Sequence, residues 1–169
     1  MSSFGPDLQT TGNVQLLVFC LDDRLQALYL SQVLRVIRAV DATPLPHAPD
    51  VVLGVIDIQG EIVPLLNTRK RFRIVDKEIS PDDHFIIAKT PRRTVALFVD
   101  SVKGVIERPA GNIVAAQDIF HGLAQTQGVI QLDDGLTLIH DLDRFLSTEE
   151  EDTIAQALTE GPIYENSSS

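Results

Sequence analysis

Short apolar runs, each closed after four to eight residues by a polar or glycine-bearing turn, recur along most of this chain and predict strands rather than helices. Val14 to Leu21 reads as a strand, Asp22-Asp23-Arg24 as a turn, and Leu25 to Leu30 as the returning hairpin partner. Val33, Val36 and Ile37 follow with the spacing of a short turn or helix leading into the next strand. The segment Thr43-Pro44-Leu45-Pro46-His47-Ala48-Pro49 carries too much proline for an interior strand and predicts an extended connector. Val51 to Ile58 and Ile62 to Leu66 form a second hairpin around Gln59-Gly60-Glu61, where Gly60 suits a turn that needs positive φ. Pro64 places part of the returning strand at an edge or a bulge. Asn67 or Thr68 caps a short helix running through Arg73, and a polar stretch from Val75 to Asp83 follows.

The same pattern then returns. Ala27 to Ile37 is echoed by Ala96 to Ile106, Leu17-Val18-Phe19-Cys20 by Phe85-Ile86-Ile87-Ala88, and Gly54-Val55-Ile56 by Gly128-Val129-Ile130. Leu65-Leu66 leads to Arg71-Phe72 as Leu138-Ile139 leads to Arg144-Phe145. A repeat of about 70 residues exceeds a solenoid unit and predicts two like-built modules in one body. The order in the second half is His84 to Thr90, Thr94 to Val99, Val102 to Glu107, a longer loop from Pro109 to Gln125, Gly128 to Leu132, and Leu136 to Ile139. Leu142, Phe145 and Leu146 share a face at helical spacing, and Ser147 with Glu150 has the form of a capping box for a final acidic helix. The expected organisation is a flexible arm over 1–13, a body over 14–146 with pseudo-repeats at about 15–73 and 84–146, and an acidic helix with a disordered tail over 147–169. Many short strands in two similar sets predict an all-β fold of paired small barrels with minor helix.

Composition supports a core of Val, Leu, Ile and Ala, since the 169 residues include no Trp, two Tyr and seven Phe. Cys20 lies in an apolar run and reads as a packing residue. The N-terminal residues lack the basic stretch and apolar core of a signal peptide, and no apolar run approaches membrane-spanning length, so a cytoplasmic protein without membrane insertion is expected. The net charge of −10 draws heavily on Glu149, Glu150, Glu151, Asp152, Glu160 and Glu165 near the C-terminus. Such a balance disfavours nucleic acid as a partner. The cluster Arg69-Lys70-Arg71-Phe72-Arg73 reads as a solvated helix face.

Catalytic chemistry has no visible seat. There is no nucleophile elbow and no phosphate-binding glycine loop, and His47, His84, His121 and His140 stand apart from one another and from Cys20. His140-Asp141-Leu142-Asp143 reads as a helix start rather than a ligand set. No catalytic residue, metal or cofactor is expected, which leaves a partner-binding module working through sheet edges and apolar contacts.

From Val51 to Arg69 the chain resembles the CheW family of bacterial chemotaxis coupling proteins, whose pattern there is Gly, an apolar strand, Asn-Leu-Arg-Gly, a second strand with Pro, then Asp-Leu-Arg. The resemblance runs from about Leu16 to Leu146. It implies two five-stranded SH3-like barrels packed on one hydrophobic core, without enzymatic activity. It further implies an adaptor that joins the regulatory domain of a CheA-type histidine kinase to the cytoplasmic tips of chemoreceptors. Val33, Val36, Gly54, Gln59 and Gly60 are similar to positions lining the family's receptor-facing groove, and Ile62, Pro64 and Arg69 match its wider motif. The chain departs from the pattern at Arg35, where the family carries an acid, at Gln59, where it carries Arg, and at Asn67, where it carries Asp. The family's charge pairing at that groove therefore cannot form. Either Arg35 finds Asp57 or Glu61 and the groove serves a receptor with a matching change, or the protein is a divergent scaffold for another kinase or motility system, or the groove is lost. A single-stranded nucleic-acid-binding barrel is a rival from another class, with only Phe72 set in a basic run.

Overall fold

The structure, a computed structural model, describes residues 12–115 and 126–161. The expected loose arm and C-terminal tail, most of the loop after Pro109, and His121 lie outside the described residues. The strands are β1 (Asn13–Leu21), β2 (Arg24–Tyr29), β3 (Val33–Arg38), β4 (Val52–Ile58), β5 (Glu61–Leu66), β6 (His84–Lys89), β7 (Thr94–Val99), β8 (Ser101–Pro109), β9 (Val114–Ala115), β10 (Thr126–Leu132) and β11 (Gly135–His140). Among the described residues two helices, α1 (Thr68–Arg71) and α2 (Thr148–Glu160), accompany the strands along with short 3-10 turns. No helix among the described residues is long and apolar enough to cross a membrane. The hairpin turns obey local chemistry. Asp22 and Asp23 link β1 to β2 with φ of 52° and 65°, and Gln59 and Gly60 link β4 to β5 with φ of 51° and 92°, the positive pair that matches strand twist in a two-residue hairpin.

Val33, Val36 and Ile37 lie on β3, not on the expected turn or helix; the 3-10 turn comes earlier, at Leu30–Gln32. Helical spacing misled because β3 lacks the alternating burial of a half-buried strand, with Leu34, Arg35 and Val36 all exposed in succession.

Two mixed sheets form, one in the order β8-β1-β2-β11-β10-β9 and the other β3-β6-β7-β5-β4. They define two compact units, residues 1–33 with 100–145 and residues 34–99 with 146–169. The units therefore do not coincide with the pseudo-repeats 15–73 and 84–146. The hairpin β1–β2 of the first repeat pairs with β8 and β11 of the second, while β6–β7 of the second joins β3 and β5 of the first. Connection length explains this exchange. Only Asp100 separates β7 from β8, too little chain to reverse and pair again, so β8 enters the other sheet and lies antiparallel to β1.

Each sheet curls until its outer strands are joined by nearby chain. In the second unit β3 and β4 are the outer strands, and Thr43, shortly after β3, exchanges two backbone hydrogen bonds of 2.8 Å with Val55 of β4. In the first unit β8 runs through a turn at Ala110–Asn112 into β9, which pairs with Gly128 and Val129 of β10. The two glycines that begin the repeated Gly-Val-Ile sit at these seams. A Cβ on Gly54 would lie 2.6 Å from the Thr43 carbonyl oxygen, and one on Gly128 would lie 2.8 Å from Ile113 Cγ2. Pro64 fits the same construction. Val55 directs its N–H and C=O at Thr43, so its cross-strand partner Pro64 faces away from β4 with its missing donor, and pairing of β5 with β7 begins only at Leu65.

The first unit buries Leu16, Val18, Ala27, Tyr29, Ile130 and Ile139 in its core, with Ala110 and Ile113 beneath the seam. The second buries Ile56, Val63, Leu65, Phe85, Ile87, Ala96 and Phe98, the two rings meeting edge to face at 6.3 Å. Cys20 is buried, as expected of a packing residue. Asn67 caps α1 by accepting from the Lys70 N–H, and Ser147 forms a reciprocal capping box with Glu150 at the start of α2.

Candidate functional site

Among the residues singled out in sequence, all but Val33 fall in the second unit; Val33 ends the first segment of the other and is half-buried. They divide by exposure. Arg35, Val36, Asp57, Gln59, Gly60 and Ile62 face solvent, whereas Gly54, Pro64 and Arg69 are buried. The exposed group occupies two places. Asp57 and Ile62 are cross-strand partners near the tip of the β4–β5 hairpin, and Arg35 and Val36 lie on β3, which among the described residues pairs with β6 at the edge of the sheet. The Thr43–Val55 bridge ties the chain leaving β3 to β4, so both places belong to the closure of one barrel wall.

The hairpin tip is fixed by Asp57, whose Oδ1 accepts the Gly60 N–H at 2.7 Å. That bond commits the Asp57 carboxylate to its own turn. Among the described residues Arg35 makes no ion pair, so the expected contact with Asp57 or Glu61 is absent. Sequence reasoning passed over Leu34, 54% exposed on β3, and Leu53, 38% exposed beside Gly54. Leu34 falls in the segment expected to be a turn or helix, whereas Leu53 belongs to the apolar run Val51 to Ile58, and the bulge between Val52 and Gly54 turns it outward.

The basic cluster is corrected in two positions. Arg69 is 1% exposed, and Arg71 pairs with Glu150 at 2.6 Å, leaving Lys70 and Arg73 as the solvated members. A four-residue helix capped against the sheet presents its second residue inward, which no charge run discloses. Arg69 is thus enclosed within the second unit rather than exposed on its surface.

Histidine chemistry is equally structural. His140 is buried, its Nε2 directed at Gln26 Oε1 and its Nδ1 at the Thr126 hydroxyl, and burial lowers its pKa to about 3. Burial also pushes the Tyr29 phenol up to about 12. For Glu150, desolvation would raise the carboxyl, yet hydrogen bonds from the Ser147 N–H and Arg71, with the Arg71 charge, bring it below the ordinary value. Asp141 caps the 3-10 turn Leu142–Arg144, the role read for it in sequence. No group of three metal-ligating side chains occurs among the described residues.

The repeat supplies an image of the exposed group in the first unit. Lys103-Gly104-Val105-Ile106 on β8 and Leu132-Asp133-Asp134 at the β10–β11 turn correspond to Leu34-Arg35-Val36-Ile37 and Ile58-Gln59-Gly60, and they line a cavity of about 330 Å³. The counterpart is legible in the echo of Ala27 to Ile37 by Ala96 to Ile106.

Comparison with known proteins gives a consistent picture. A family model described as a CheW-like domain matches residues 15–150. The chain is 27% identical over 143 residues to the chemotaxis protein CheW of Rhizobium meliloti, covering 83% of this chain and 92% of that protein. Thermotoga maritima CheW is 28% identical over 134 residues, covering 78% and 87%. The protein FrzA of Myxococcus xanthus is 28% identical over 103 residues, covering 57% and 64%. Among solved structures, the scaffolding protein TtCheW of Thermoanaerobacter tengcongensis superposes with a TM-score of 0.75 at 26% identity, covering 82% of this chain and 96% of that one.

Proposed function

Because the chain belongs to the CheW-like domain family, a family of non-catalytic adaptors, we propose that it couples a CheA-type histidine kinase to chemoreceptor tips. The observation that carries this reading is the match over residues 15–150, which embraces both barrels rather than a single motif. The exposed group on β3 and the β4–β5 hairpin supports a receptor-facing role, with Val36 and Ile62 as apolar contacts and the Gly60 turn as a fixed edge. Arg35, exposed and unpaired among the described residues, sets partner choice more than affinity. The partner receptor would then carry an acid where ordinary tips do not.

Exchanging the two departures tests this directly. Arg35→Glu with Gln59→Arg restores the family's charge arrangement, so binding to an ordinary chemoreceptor tip fragment should rise at least about tenfold by calorimetry, the scale of one specific charge pair. Unchanged binding would remove the groove from the account. Kinase binding should be indifferent to the exchange.

A further inference from the structure

Helix α2 is fastened to the second unit by a row of ion pairs beside a short apolar stripe. Its first turns carry three consecutive acids, each held by an arginine of the sheet unit: Glu150 by Arg71 at 2.6 Å, Glu151 by Arg93 at 3.2 Å and Asp152 by Arg92 at 3.2 Å. The apolar hold is narrow. Ile154 and Ala157 are the buried apolar residues of its thirteen, and Ala157 with Leu158 rests on Leu45, Val52 and Val55. A cleft of about 220 Å³ between Ala157, Gln156 and Glu160 on one side and His47 on the other leaves the C-terminal half incompletely packed. The surface beneath it is the barrel seam, since Val55 is the strand residue that bonds Thr43.

We propose that α2 is a releasable, salt-sensitive clasp over the seam of the second unit. It opens as one element while β6 and β7 stay folded. Closed, it hides Leu45, Val52 and Val55; open, it bares Leu45 on the connector and Val52 and Val55 on β4, the strand that also carries Gly54 and Asp57. The pairs are the sensitive part because Arg92 and Asp152 are 44% and 67% exposed, where screening is strong, while Arg93 and Glu151 are mostly buried and set the closed register. Elements held by few apolar contacts open below the free energy of global unfolding.

The test is amide hydrogen exchange on the full chain at about 20 mM and about 0.5 M sodium chloride, which spans strong to weak screening. Amides of Ile154 to Leu158, with those of Thr43 and Val55, should exchange at least about tenfold faster at the higher salt, while Phe85 to Ile87 change less than about twofold. Arg93→Glu should reproduce the acceleration at low salt, and adding Glu151→Arg should reverse it by restoring the pair in the opposite sense. Exchange of α2 that follows the core strands at both salts overturns the proposal, as does acceleration that the second substitution fails to reverse. Should the variants not fold, the salt comparison on the unaltered chain decides alone.

Discussion

At the scale of single residues, the seam glycines have the clearest consequence. Gly54 combines φ of 153° with a Cβ position 2.6 Å from the Thr43 oxygen, so any side chain pries β4 from the connector. Gly54→Ala should lower unfolding free energy by about 2–3 kcal/mol, and Gly128→Ala by about 1–2 kcal/mol, because the Ile113 side chain can move aside while the Val114 carbonyl oxygen stays 3.0 Å from the added Cβ. Urea denaturation of both variants checks the order. His140 yields a second expectation. Its folded pKa lies near 3, below the ordinary 6.5, so the unfolded chain takes up the proton first as pH falls. Its contribution is complete above pH 6.5 and declines toward pH 3, with a slope of up to about 1.4 kcal/mol per pH unit. Glu150, lowered below its ordinary value, loses stability in the same acid direction, so the comparison must be with a variant. His140→Gln should flatten the stability profile measured between about pH 6 and 4 by about half or more. Residue roles set by local bonding were legible in sequence, as with Ser147, Glu150 and Asn67, because a cap is decided within four residues. The burial of Arg69 was not, because it depends on which face of α1 meets the sheet.

Among elements, the β4–β5 hairpin is the most constrained and the most open to adjustment. Gln59 holds a left-handed conformation without the side-chain bond that makes Asn comfortable there. Gln59→Asn should raise stability by about 0.5–1 kcal/mol in thermal unfolding while leaving the Asp57–Gly60 bond in place. Most strands were visible as apolar runs between turn residues, and Pro64 announced its local edge. β3 escaped because an edge strand exposed at Leu34, Arg35 and Val36 has no buried face to imprint an alternation. The acidic helix was legible in position but not in attachment, since Arg92 and Arg93 reach Asp152 and Glu151 from distant sequence.

For the molecule as a whole, the repeat revealed two modules but not their exchange of hairpins. Self-similarity fixes which segments look alike, whereas the one-residue link at Asp100 decides which sheet β8 joins. A fragment of one repeat, residues 84–146, should therefore show no cooperative thermal transition by circular dichroism, since β6 and β7 lose β3 and β5. A stable monomer of that fragment would contradict the exchanged arrangement. Exchange also couples the halves of the chain in folding, because neither sheet forms until both repeats are present. The two barrels then present like-built surfaces, Leu34 to Ile37 with the Gln59-Gly60 turn on one and Lys103 to Ile106 with the Asp133-Asp134 turn on the other. An adaptor that must hold two partners at once is well served by such duplication. The most direct measurement of that claim is ternary assembly by co-sedimentation of a CheA-type kinase and membrane-borne chemoreceptors from the same source, with and without this protein. The account predicts that the kinase sediments with receptor membranes only when the protein is added. Kinase recovery unaltered by its presence would contradict the coupling role.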